Sequence, residues 1–180
     1  MQRALICAVI LFVSACANPI NRVTYQDYKK QGTLAEAKGD WATAEQAYYR
    51  AAENVRLGNL EPAIQSNSLF DLGRVKRKVG KFDESETVLK QALALDEKLY
   101  GSDAFLTSIT ISELCATYLE AKKLSEGIPF MVRLEPLLPQ HSTKYSAQGR
   151  HFFKLLYEKY SDALANQPEA ERFRKVAASL

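Results

Sequence analysis

Apolar side chains recur at three- and four-residue intervals through most of the chain. Leu69, Leu72, Gly73 and Val79 mark one such stretch, and Val88, Leu89, Ala92 and Leu95 the next. That spacing puts each set on one face of a helix with about 3.6 residues per turn. The same reading predicts helices near 24–38, 41–57, 62–79, 83–99, 103–121, 125–138, 143–165 and 168–179. Leu106 to Ser112 alternates as a strand would, but Ile111, Leu114, Cys115 and Tyr118 continue at helical spacing. No other segment offers that stretch a partner, and a lone strand leaves its backbone polar groups unpaired, so it is read as helix.

Local signals mark the expected helix ends. Pro62 suits a first turn. Gly58 and Gly101 suit C-termini closed by a residue at positive φ. Asp83 with Glu86 reads as a capping-box-like start, and Ser102 and Ser142 as N-caps. Pro129 is expected in the first turn of the sixth helix, which Pro136 and Pro139 cut short. Trp41, Tyr48 and Tyr49 are expected as core aromatics of the first helix pair.

The helices come in a repeat. Gly39-Asp40-Trp41-Ala42-Thr43-Ala44 aligns with Gly80-Lys81-Phe82-Asp83-Glu84-Ser85, and then with Lys122-Lys123-Leu124-Ser125-Glu126-Gly127. The third copy departs at its first residue, where Lys replaces Gly. Upstream, Gly32, Gly73 and Cys115 keep the same spacings of 41 and 42. Downstream, Tyr48, Leu89 and Met131 correspond, as do Ala51, Ala92 and Leu134. A fixed period of this length marks a stack of supersecondary units.

This pattern resembles the tetratricopeptide repeat, over about residues 25 to 138. A small residue in the first helix and another early in the second let two backbones approach, with a bulky residue between them. The period is longer than the usual ~34 residues, as in the long-helix variant of kinesin light chains. The segment from Ala92 to Gly101 looks like that variant's extended second helix and its Gly stop. Two departures stand out: Lys76 sits where the first helix usually carries an aromatic residue, and Gln31 and Ala35 where larger apolar residues are common. The resemblance implies an all-α, right-handed α-solenoid, with three repeats over 24–138 and a degenerate fourth pair over 139–180 that caps the array.

It also implies a concave groove lined by the first helix of each pair, holding an extended segment of a partner. By resemblance the groove residues are Lys29, Thr33 and Glu36, then Phe70, Arg74 and Arg77, then Ser112, Ala116 and Leu119. The middle repeat is strongly basic, with Arg74, Lys76, Arg77, Lys78 and Lys81 close together, and Arg74, Arg77 and Lys78 on one helical face. Two guanidiniums one turn apart can grip carboxylates, which points to a guest with an acidic segment or C-terminus. The alternative is a solvated basic face balanced by Glu84 and Glu86.

Composition narrows the chemistry. Of 180 residues, 47% are hydrophobic and 25% charged, which is ordinary for a globular chain, and two His and three Cys leave little for metal or nucleophile chemistry. His141 and His151 have no metal-ligand spacing and read as surface or capping residues. No Gly-rich phosphate loop, GxSxG or CxxC occurs, so no enzyme, metal or cofactor is expected. The formal charge of +3 is too small to argue for nucleic acid.

The N-terminus reads as an address. Arg3 precedes an apolar run from Ala4 to Ala15, too short for a ~30 Å hydrocarbon core and typical of a signal peptide. Val13-Ser14-Ala15-Cys16 resembles the lipobox of bacterial lipoproteins. That implies cleavage after residue 15, acylation of Cys16 (palmitate among the chains), and a short tether over 16–23. The alternative is a plain signal peptide cut after Ala15 or Ala17, with Cys16 incidental. In Gram-negative lipoproteins the signal implies the periplasmic face of the outer membrane; a Gram-positive host implies the outer leaflet of the cytoplasmic membrane. Cys115 then stands alone, without a disulfide partner. The expected function is a non-catalytic scaffold that holds another envelope protein near the membrane. Alternatives are an assembly factor for a secretin or pilus machine, an oligomeric regulator of peptidoglycan enzymes, and a docking subunit of an enzyme.

Overall fold

The computed structural model describes residues 18–180; the signal sequence, the lipobox and Cys16 lie outside them. The described chain forms α1 (Pro19–Ala37), α2 (Trp41–Leu57), α3 (Pro62–Lys78), α4 (Phe82–Tyr100), α5 (Phe105–Glu120), α6 (Leu124–Leu134), α7 (Leu137–Gln140), α8 (Ala147–Leu164) and α9 (Pro168–Ala178), with no strand among the described residues. The strand-like stretch within α5 is helical. Consecutive helices pair as α1/α2, α3/α4, α5/α6 and α8/α9. Each pair stacks on the next through α2 on α3 and α4 on α5, while α8 rests on α5 and α6. The result is a helical solenoid in which every layer buries its neighbour's face.

Close approach within each pair has a specific cause. A Cβ added to Gly32 would sit 2.8 Å from the ring of Tyr48, and one at Gly73 2.6 Å from Leu89 Cγ. The helices approach until the bulky residue of the second rests on the bare backbone of the first. Cys115 holds the corresponding place in the third pair, fully buried in the same core cluster as Met131. The early small residue of the second helix is used twice over. Ser85 Oγ donates to the Gly73 carbonyl at 2.8 Å. In the third pair the counterpart of Ser85 is Gly127, which has no hydroxyl. The equivalent carbonyl, Cys115 O, instead accepts from Tyr160 of α8 at 2.9 Å, and any Cβ at Gly127 would collide with that Tyr160 hydroxyl. Gly127 therefore opens the slot through which the fourth pair docks.

The turns inside the three pairs are equivalent as well. Gly39, Gly80 and Lys122 adopt φ of 72°, 78° and 60°. Lys122 thus takes a left-handed conformation that costs an L-residue about 1–2 kcal/mol.

Several local expectations are corrected. Helix α1 starts at Pro19 behind the N-cap Asn18, whose side chain accepts from Ile20 N. Gly58 has φ −81°, and the positive φ falls on Asn59; Gly58 is small because a Cβ would meet Asn21 Cβ at 2.5 Å. The N-caps of α5 and α8 are Ala104 and Ser146, not Ser102 and Ser142. Asp83 and Glu86 form no capping box: α4 is capped by Lys81 without a side-chain bond, and both carboxylates bind Lys123. Pro129 lies one turn inside α6, which ends at Leu134 before a short restart in α7. Tyr48 is buried, but Tyr49 is exposed. His141 is buried, its Nε2–H donating to the Asp103 carbonyl at 2.7 Å.

Three substitutions separate space from backbone strain. Gly80→Ala, with open space around its Cβ, costs about 1 kcal/mol through φ alone. Gly73→Ala costs about 1–3 kcal/mol by overpacking on Leu89. Lys122→Gly gains up to about 1 kcal/mol. Urea unfolding midpoints of the three variants check the order.

Candidate functional site

Helices α1, α3 and α5 form one layer, and the basic run of α3 lies in its middle. Its cations are met by carboxylates of this same chain. On the α1 side, Arg74 binds Glu36 at 2.6 Å, and Lys29 of α1 reaches back to Asp71 at 2.9 Å. On the α5 side, Arg77 binds Glu113 at 2.6 Å and Glu120 at 2.5 Å. Arg77 and Glu113 are only 5% and 7% exposed. Burial pushes the Arg74 pKa down, but the Glu36 carboxylate outweighs it and holds the guanidinium above its ordinary value. The two guanidiniums expected to grip a guest's carboxylates instead tie α3 to its neighbours on both sides.

Lys76 does similar work on the other side of α3. It is buried, and its ammonium binds Glu45 of α2 at 3.1 Å and Glu84 of α4 at 2.6 Å. Tyr118 occupies the equivalent position in α5, where its ring stacks on Phe130 of α6 and its hydroxyl donates to Glu86 of α4. The missing aromatic of the second repeat is thus replaced by an ion-paired lysine that spans the same gap. Lys81 also reaches Glu45, at 2.8 Å. The expected balance by Glu84 and Glu86 is therefore partly met, since Glu84 pairs with Lys76 while Glu86 serves Lys90 and Lys123.

The remaining predicted groove residues divide by exposure. Thr33 and Lys78 are exposed; Lys29, Phe70 and Leu119 are half-buried; Ser112 and Ala116 are buried. Ser112 Oγ donates to the Ile109 carbonyl at 2.7 Å within its own helix. Thr33 Oγ1 bonds the Lys29 carbonyl at 3.1 Å. The Lys78 ammonium lies 5.7 Å from the centre of the Trp41 ring, a cation–π distance. A different depression escaped the sequence reading. A cavity of about 410 Å³ opens between α2 and α4 over α3, lined by Tyr49, Ala52, Leu69, Leu72 and Val88 among others. Nothing in residue spacing alone signals it, because it arises where two second helices splay over one first helix.

No cluster of metal-ligating side chains occurs among the described residues. Cys115 is fully enclosed, and burial pushes its thiol pKa well up, so it is a packing residue and no nucleophile. Among the described residues no helix is long and apolar enough to cross a membrane.

The stacked pairs, the bare-backbone contacts and the repeated positive-φ turns define a helical-repeat solenoid of the tetratricopeptide type. Residues 27–98 match the tetratricopeptide repeat model, a repeat typical of non-catalytic protein-binding scaffolds. Two structures of a kinesin light chain-like protein from Podosopora anserina with nearly identical TPR-like repeats share the fold. They are 15% identical, with TM-scores of 0.68 and 0.65, each covering 86% of this chain and 73% and 74% of theirs. BtubC (BKLC) from P. vanneervenii, also 15% identical, matches with a TM-score of 0.63 over 92% of this chain and 69% of its own. No curated protein matches the sequence.

Two outcomes follow from the paired charges. Arg77→Met leaves Glu113 buried without its cation and costs about 3–5 kcal/mol, most of it recovered by adding Glu113→Leu; thermal unfolding of the single and double variants checks this. Burial raises the Glu86 pKa, but hydrogen bonds from Lys90 and Lys123 prevail and hold it down from 4.5 to about 2. A carboxyl depressed by folding stabilises fully above its unfolded value and loses that contribution as pH falls toward the folded one. Glu86→Gln is therefore expected to shrink the loss of stability between pH 4.5 and about 2, read from unfolding midpoints across that range.

Proposed function

We propose that the chain is a lipid-anchored adaptor that holds another cell-envelope protein beside the membrane. The observation that carries the scaffold reading is the repeat array itself, whose first three layers are tied to each other by ion pairs. A rigid solenoid offers a partner a preorganised surface with little ordering cost. The anchor is supported by the sequence alone, through Val13-Ser14-Ala15-Cys16 after an apolar run; in a Gram-negative host it implies the periplasmic face of the outer membrane, in a Gram-positive host the outer leaflet of the cytoplasmic membrane.

The guest on the first-helix layer is an extended polypeptide segment. Phe70 and Leu119 supply apolar contacts, Thr33 a polar one, and Lys78 a cation for a carboxylate. Arg74 and Arg77 contribute indirectly, since their ion pairs hold α1, α3 and α5 in the register that places those contacts.

Two measurements test the reading. Mass analysis of the N-terminal peptide is expected to show cleavage before Cys16 and acyl chains on it, and Cys16→Ser is expected to release the protein from membrane fractions. A photo-crosslinker at Phe70 is expected to trap a partner that one at the exposed Lys154 does not, and Leu119→Ser to weaken the adduct. An unacylated N-terminus overturns the anchor; equal adducts from both positions overturn the proposed surface.

A further inference from the structure

The most exposed large apolar side chains of the described protein gather at one end. Ile20 is 74% exposed, Leu57 64% and Val23 59%; every other exposed large hydrophobic is less open. Ile20 and Val23 lie three apart in the first turns of α1, on one side of that helix, and Leu57 closes α2. The two helix ends are locked together: Asn18 N–H donates to the Gly58 carbonyl at 3.1 Å, and Gly58 is packed so tightly on Asn21 that no Cβ fits. Both arginines of this end are paired, while Asp27, one turn on from Val23, makes no ion pair among the described residues. Arg22 binds Glu61, and Arg56 binds Glu53 at 2.8 Å. The result is an apolar tip whose neighbouring cations are already paired. A terminal helix of a repeat array ordinarily turns a polar face outward, and no element among the described residues covers this one.

The occupant is indicated by where the chain enters. The described residues begin at Asn18, the N-cap of α1, so residues 1–17 join the body at this same corner. Ile20 is four residues from Cys16, a span of at most about 14 Å when fully extended. Apolar faces of interfacial helices sink roughly 5–10 Å into the headgroup region. With Cys16 tied to acyl chains, the tip cannot stand clear of the bilayer by more than this short reach.

We propose that Ile20, Val23 and Leu57 form a membrane-contact tip that seats the body in the lipid interface. This rests on the lipid-anchor reading above. The contact is apolar and not electrostatic, because its three residues carry no charge and the cations beside them, Arg22 and Arg56, bind carboxylates of this chain. It also fixes how the body stands: the corner where the start of α1 meets the end of α2 faces the lipid, and α8 and α9 lie at the far end of the array.

The test uses the full, lipidated chain in phosphatidylethanolamine/phosphatidylglycerol vesicles. Cys16 is blocked by its lipid and Cys115 is enclosed, so an introduced thiol takes the label alone. Ile20→Cys and, as control on α8, Leu155→Cys carry an environment-sensitive fluorophore, read by quenching from doxyl-labelled lipid. The expected result is quenching at position 20 at least about threefold stronger than at 155, unchanged between low and high salt, and reduced when Val23→Ser and Leu57→Ser are added. Equal quenching at both positions, in protein whose N-terminal mass shows the acyl chains, overturns this inference while leaving the anchor standing. Cross-linking of two chains through position 20 without lipid quenching overturns it in favour of a second copy. An N-terminal mass without acyl chains overturns the anchor and this inference together.

Discussion

How near two helices can lie is decided, in each repeat, by one place where the first helix carries almost no side chain. At Gly32 and Gly73 the facing Tyr48 and Leu89 press on bare backbone, and at Cys115 a small buried residue fills the same place. Because dispersion and apolar burial fall off steeply with separation, this contact sets the tilt of each pair, and the tilt sets how the next pair is received. The third pair shows how strict the requirement is. Gly127 leaves a slot, Tyr160 enters it, and the helix carbonyl bonded by a serine one repeat earlier is bonded by a tyrosine from the capping pair. The cap is attached through the same geometry that builds the array.

Charge has a similar structural role. The basic run of α3 looks from its sequence like a surface for acidic guests. In three dimensions it is stitching: Arg74 to α1, Arg77 to α5, and Lys76 to α2 and α4. Buried charges hold position only when paired, so each of these bonds also specifies which carboxylate must lie opposite. Asp96 adds an uncharged-donor version of the same device, accepting from Ser66 of α3 and from Thr110 of α5 at 2.6 Å. An array fastened at each interface by specific polar contacts keeps a single register, which is the property a scaffold needs in order to present separated contacts to one partner.

The function of such an array lies on its surfaces and its point of attachment. The inner layer offers a partner mostly neutral contacts once its ions are paired. The exposed apolar residues Ile20, Val23 and Leu57 lie where α1 begins and α2 ends.

Period, helix pairing and the positions of small and bulky residues were legible in the sequence, because each repeat solves the same local packing problem and so reuses the same residue sizes. Even the Lys122 exception was visible as a departure at a position that proves to need positive φ. Helix caps were less legible: Ser102 and Ser142 are plausible N-caps, but the helices begin at Ala104 and Ser146, since tertiary packing chooses among several adequate local starts. Of the partners of the α3 cations, Glu84 of Lys76 was legible and the others were not. Glu36, Glu113 and Glu120 lie roughly forty residues away from them in the chain, and an ion pair between stacked helices leaves no periodic trace in either one. Spacing along the chain thus determined the repeating frame, through sterics that act within a single helix pair. Only the stacking of pairs decided which charges are spent holding the frame together and which remain for anything else.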